Sequence, residues 1–201
     1  MSVGPISVAD PGNTPPGAPA EPGIAAWHAE DTEWEIKQES AAACCAANDR
    51  DGAARLWGEA LFLAREHFEP HDARLATSVA NHAVGLCWSG RGAAAGVLFD
   101  EAMSIWEASG AWVERLKPEQ RARSSLYHLR MEGRHRPTYD KLARDRLVAA
   151  WEDGRKALAA LARGEATGHV PVERWRREKP PTLSDPRKLI AAVCLIAPDR
   201  G

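Results

Sequence analysis

Two groups of side chains in this chain have the types and spacing that do chemistry. Cys44, Cys45, His67 and His71 are zinc-type ligands, and His67-x3-His71 has the i,i+4 spacing that sets two imidazoles on one helix face. Pro70 falls between the histidines and ends a helix there, and no C-x2-C pair is present. No metal is expected. The second group is basic: Arg121, Arg123, Arg130, Arg134, His135 and Arg136, with Arg174-Trp175-Arg176-Arg177 further on. Arginines beside an aromatic grip phosphates and stack on bases. Glu119, Glu132, Asp140, Asp145, Glu173 and Glu178 interleave with them and dilute the field, which favours an acidic protein surface over nucleic acid. A regulatory or accessory protein whose basic C-terminal half contacts nucleic acid stays open as the alternative. The chain has no Gly-x-Ser-x-Gly, P-loop, HExxH or glycine-rich dinucleotide fingerprint. The sequence therefore predicts a non-enzyme without a cofactor.

The elements that position these residues are helical. Thr32-x-x-Glu35 fits a capping box, so a first helix is expected from Thr32 to Ala47, broken by Asn48-Asp49-Arg50-Asp51-Gly52. A second, Ala53 to Phe68, places Ala53, Leu56, Trp57, Ala60, Leu63 and Ala64 on one face. Asp72 is a suitable N-cap for a third over Ala73–Ser89, and a fourth over Ala93–Ser109 is expected to stop at Gly110. Pro118-Glu119 reads as a further helix start and Gly133 as its end. Pro137 opens a long last helix, Thr138 to Arg163, with Leu142, Leu147, Trp151, Leu158 and Leu161 as its apolar stripe. Residues 1–26, rich in Pro, Gly and Ala, bury too little to offset their ordering entropy and are expected to be disordered. Residues 27–165 form the helical domain and 166–201 a basic, Pro-containing extended tail, in which 187–197 dock back as a short helix or strand.

Charge divides the chain. Residues 1–114 hold 6 basic and 17 acidic side chains, a net of −11, and 115–201 hold 20 and 11, a net of +9. Opposite poles would steer an acidic ligand to one end or favour head-to-tail self-association through the two halves; the alternative is ordinary solvated helix faces. Cys44, Cys45, Cys87 and Cys194 make no disulfide framework; adjacent cysteines on a helix point about 100° apart. No secretory signal is apparent, and the longest apolar run, Leu189–Ala197, is too short for a bilayer. A cytoplasmic protein off the membrane is expected.

The helices repeat. Ala53-Trp57-Ala60 recurs as Ala95-Phe99-Ala102, 42 residues on, with Leu56 matching Leu98, Leu61 matching Met103 and Leu63 matching Ile105. Such a period marks stacked units that cannot bury their apolar faces alone. A third copy at Thr138, Leu142 and Asp145 has lost the small-aromatic-small pattern.

The run Thr77-Ser78-Val79-Ala80-Asn81-His82-Ala83-Val84-Gly85-Leu86, then Gly90-Arg91 and Ala95/Phe99/Ala102, resembles a tetratricopeptide repeat (TPR) of the 42-residue kinesin-light-chain-like variety. Ala41, Ala53, Trp57 and Ala60 take the matching places in the first unit. The chain departs from the pattern at Cys44 and Leu86, where an aromatic is expected, and at His82, where an aliphatic is. The resemblance implies an all-α fold: a right-handed stack of antiparallel helix hairpins, two clear units and a degenerate third. It also implies a non-catalytic scaffold or adaptor that binds a peptide or partner helix on its concave surface. The lining would be Glu35, Gln38, Ala42 and Cys45, then Thr77, Ala80, Asn81, Val84 and Trp88. Asn81 matches the family asparagine whose amide clasps a ligand backbone, with donor and acceptor together. Trp88 would be either an aromatic anchor or packing against the next repeat. Trp57 and Trp106 read as core, and Trp27, Trp112 and Trp175 as exposed contact points.

Overall fold

Among the described residues every regular element is helical, and there is no strand. The structure, a computed structural model, describes residues 28–116, 136–167 and 185–199. The expected leader 1–26, the helix between Pro118 and Gly133, the basic runs 121–135 and 174–177, Trp27 and Trp175 lie outside them. The helices are α1 (Ala29–Ala46), α2 (Arg50–His67), α3 (Ala73–Trp88), α4 (Gly92–Val113), α5 (Arg136–Arg163) and α6 (Asp185–Cys194). Each of the first five packs on the next described helix, and α6 lies against both α3 and α5.

Local chemistry sets the boundaries. The break between α1 and α2 is only residues 47–49: Asn48 takes φ 59°, the left-handed conformation an asparagine tolerates. Asp49 then caps α2, accepting from the Gly52 N–H at 2.9 Å. Asp72 caps α3 as expected, accepting from the Arg74 N–H at 2.9 Å. Three expectations are corrected. Helix α2 starts at Arg50 rather than Ala53, so Arg50, Asp51 and Gly52 of the expected break are helical. Helix α1 starts at Ala29 rather than Thr32, because Asp31, not Glu35, turns back to take the His28 N–H at 2.7 Å. Helix α4 runs through Gly110 to Val113. Gly110 is enclosed rather than a stop: a Cβ there would sit 3.3 Å from the Trp151 ring.

Helices α2 and α4 follow the apolar pattern. Ala53, Trp57, Ala60 and Ala64 of α2 and Ala95, Phe99, Ala102 and Trp106 of α4 are buried in one core. Helix α5 does not continue the repeat. Its contacts with α4 run antiparallel, Trp106 meeting Gly154 while Gly110 meets Trp151. Leu142, part of the expected stripe and of the expected third motif, is 56% exposed, whereas Leu147, Leu158 and Leu161 are buried. Trp112, expected at the surface, is partly buried against the core.

Candidate functional site

Helix α1 buries Asp31, Glu35 and Gln38, and α3 buries Arg74, Thr77, Ser78 and Asn81, none more than 3% exposed. Spacings of four and three residues put each set on one helical face, so two polar stripes meet inside the protein. They pair at a fixed offset of 43 residues, Asp31 with Arg74 and Gln38 with Asn81, so α1 and α3 run side by side in the same direction.

Buried polar groups are costly unless they are hydrogen-bonded, and these are. At one end the Arg74 guanidinium bonds Asp31 and makes 2.7 Å and 3.1 Å bonds to Asp72. Its plane also lies 3.8 Å from the Phe68 ring centroid. Burial alone would raise the Asp31 carboxyl, but the Arg74 hydrogen bond and charge hold it below the usual carboxylate range. In the middle, Trp34 Nε1 donates to Ser78 Oγ at 2.7 Å, and Gln38 Nε2 reaches the same oxygen at 3.4 Å.

The rest of the stripe is spent on the C-terminal segment. Arg187 Nη2 donates to Glu35 Oε2 at 2.7 Å, both side chains less than a tenth exposed. Thr77 Oγ1 donates to the Ala192 carbonyl at 2.8 Å. The Asn81 amide holds backbone from both sides: Nδ2 donates to Leu195 O and Oδ1 accepts from Ala197 N–H, each at 2.8 Å. A second Nδ2 bond, 2.9 Å to Gln38 Oε1, fixes the amide plane. The segment runs in the same direction as α3, with Ala192 beside Thr77 and Leu195–Ala197 beside Asn81. Its end is tied to α5 by Thr167, whose N–H and Oγ1 both donate to Pro198 O at 2.8 Å.

Glu35, Thr77 and Asn81 thus stand together facing the chain's own residues 187–197, with Gln38 bonded to Asn81. Val84 is buried in the core. Trp88 packs on α2, its ring 5.2 Å from that of Trp57 with the Arg50 guanidinium 5.5 Å from its centroid. Of the wider expected lining, Ala80 is buried while Ala42 and Cys45 are partly buried.

Sequence reasoning missed Asp31, Arg74, Ser78 and Arg187. A signal existed for the first three: polar residues at helical spacing on otherwise alanine-rich faces. Arg187 has no such signal, since its partner lies 152 residues away.

The cysteines are thiols. Burial, then the charges of Cys44 and Asp199, push Cys45 up to about 11, and burial also raises Cys44. A thiol held protonated is a poor nucleophile and a poor ligand. Among the described residues no three His, Cys, Asp or Glu side chains gather as a metal site requires, and no helix is long and apolar enough to cross a membrane. Comparison of the chain with family models, with curated proteins and with solved structures found no match.

Proposed function

We propose that this protein is a non-catalytic interaction module of the tetratricopeptide type, acting in the cytoplasm, that holds a peptide or short helix of a protein partner in the α1/α3 groove. The observation that carries this is the Asn81 clasp, one amide meeting a carbonyl and an N–H two residues apart on another stretch of backbone. Such a device recognises main chain, which every peptide offers, and leaves side-chain selection to its neighbours. Thr77 adds a second main-chain contact and Glu35 a site for a cation. The catalytic alternative has less support, because Asp31, Glu35, Arg74 and Arg187 are held in mutual ion pairs and the Cys44 and Cys45 thiols are held protonated.

The test is affinity capture from native cell lysate with the full chain as bait, beside Asn81→Ala checked for unchanged helicity. A protein retained by the wild type and lost by the variant supports groove binding. Equal capture by both moves the working surface elsewhere.

A further inference from the structure

The groove's occupant in this structure is a chemical description of what it takes. Resting on the reading above, we infer that residues 185–199 are a displaceable internal ligand. The partner that replaces them is then a protein segment of the same design: a short helix with an arginine in its first turn, ending in a short apolar turn.

The register is explicit. Counting from Arg187, the carbonyl five residues on, Ala192, meets Thr77. The carbonyl eight residues on, Leu195, and the N–H ten residues on, Ala197, meet Asn81. Between them Leu189, Val193 and Ile196 are buried. The Arg187–Glu35 pair reads side-chain identity through a polar bond, whereas the Thr77 and Asn81 contacts read backbone. A foreign segment needs the arginine, the helix and apolar bulk to reproduce these four contacts.

Two features separate this arrangement from a permanent core. A floor meant to stay covered is best built apolar, since a buried ion pair is no more stabilising than well-packed hydrocarbon. Here it is Glu35, Gln38, Thr77 and Asn81, groups that water satisfies when the segment leaves. The segment is also covalently continuous with Thr167 through positions 168–184. Its binding is therefore intramolecular, which gives it an advantage over a free segment making the same contacts. The groove is therefore closed to weak binders and opens to a segment that binds more tightly or that captures residues 185–199 elsewhere.

The experiment uses the full chain. A fluorescein-labelled peptide of sequence 185–199 is titrated by anisotropy into wild type, into Arg187→Glu, which weakens only the internal copy, and into Arg187→Glu with Asn81→Ala. Hydrogen exchange on the wild type follows the amides of 189–197 in parallel, so the result survives a variant that folds poorly. The expected result is at least about tenfold tighter peptide binding by Arg187→Glu than by wild type. That gain is lost in the double variant and with a peptide carrying Arg187→Ala, and the 189–197 amides exchange faster than those of α2 and α3. If those amides exchange only with global unfolding and Arg187→Glu gains nothing, the segment is core and the inference is overturned, while lysate capture still decides the groove reading. If the segment opens but no variant binds peptide, the groove is no receptor and both readings are overturned.

Discussion

Glu35 and Arg187 are 152 residues apart in the chain and joined by a 2.7 Å bond inside the protein. Removing one partner while α6 stays docked leaves the other charge buried without that partner. Arg187→Met is expected to cost about 3–5 kcal/mol, the range for breaking a buried pair, read by urea denaturation. Glu35→Leu combined with Arg187→Met should recover most of it, because replacing both ions by apolar groups is near neutral. A double variant no better than Arg187→Met would show that the pair itself carries the docking of α6.

Asp31 gives the protein an acid limb. Its carboxyl is held below the ordinary range, the Arg74 bond and charge outweighing burial. A carboxyl depressed in the folded state stabilises fully above its unfolded pKa, about 3.9, and that contribution is lost as pH falls through the lower folded value. Asp31→Asn is therefore expected to cost about 2 kcal/mol at pH 7, as for a hydrogen bond to a charged group, and to converge with wild type as pH falls through the lowered folded value. Melting temperatures across pH 2–7 check this, and a constant gap at all pH values would contradict it.

The reach of the sequence ends where contacts become distant. Helices α1 to α4 were legible because their apolar periodicity and the cap at Asp72 are local. Asn81, Thr77, Gln38 and Glu35 could be grouped because helical spacing and the 42-residue repeat fix which residues share a face. Their occupant could not be named, since residues 187–197 meet them through the fold. Tertiary packing also overruled two sound local signals. Glu35 left the expected capping box for Arg187, and Gly110 continues a helix because a tryptophan of α5 covers it. Leu142 failed for the complementary reason: its spacing suited a stripe, but among the described residues nothing covers that end of α5.

His82 stands where an aliphatic was expected, and its Nδ1 has no hydrogen-bond partner among the described residues. Burial, then the charges of Arg65 and Arg91, lower its pKa. The folded protein thus binds this proton less readily than the unfolded chain does. The contribution is fully present above the unfolded value, about 6.5, and lost as pH falls through the folded one. His82→Leu should remove that slope, leaving the variant relatively more stable at pH 5 than at pH 8, as calorimetry at the two pH values would show. Parallel losses in wild type and variant would assign the slope to another group.

Trp106 and Trp151 exchange bonds across α4 and α5: each indole N–H donates to the other's carbonyl, at 3.1 Å and 3.3 Å, and Trp151 also donates to Ser109 Oγ at 2.9 Å. Each ring lies over a glycine of the opposite helix, Trp106 on Gly154 and Trp151 on Gly110. The two glycines are not equivalent. A Cβ at Gly154 would lie 2.2 Å from Trp106 Cζ2, against a ring that its own hydrogen bond holds in place, whereas one at Gly110 would lie 3.3 Å from Trp151. Alanine gains up to about 1 kcal/mol of helix propensity at either position, and overpacking costs about 1–3 kcal/mol where the ring cannot give way. Gly154→Ala should therefore destabilise by about 1–2 kcal/mol, with altered tryptophan fluorescence. Gly110→Ala, where a shift of a few tenths of an ångström suffices, should be within about 0.5 kcal/mol of wild type. Denaturant midpoints of the two variants, measured side by side, decide whether the reciprocal pair fixes the α4–α5 distance or merely accompanies it.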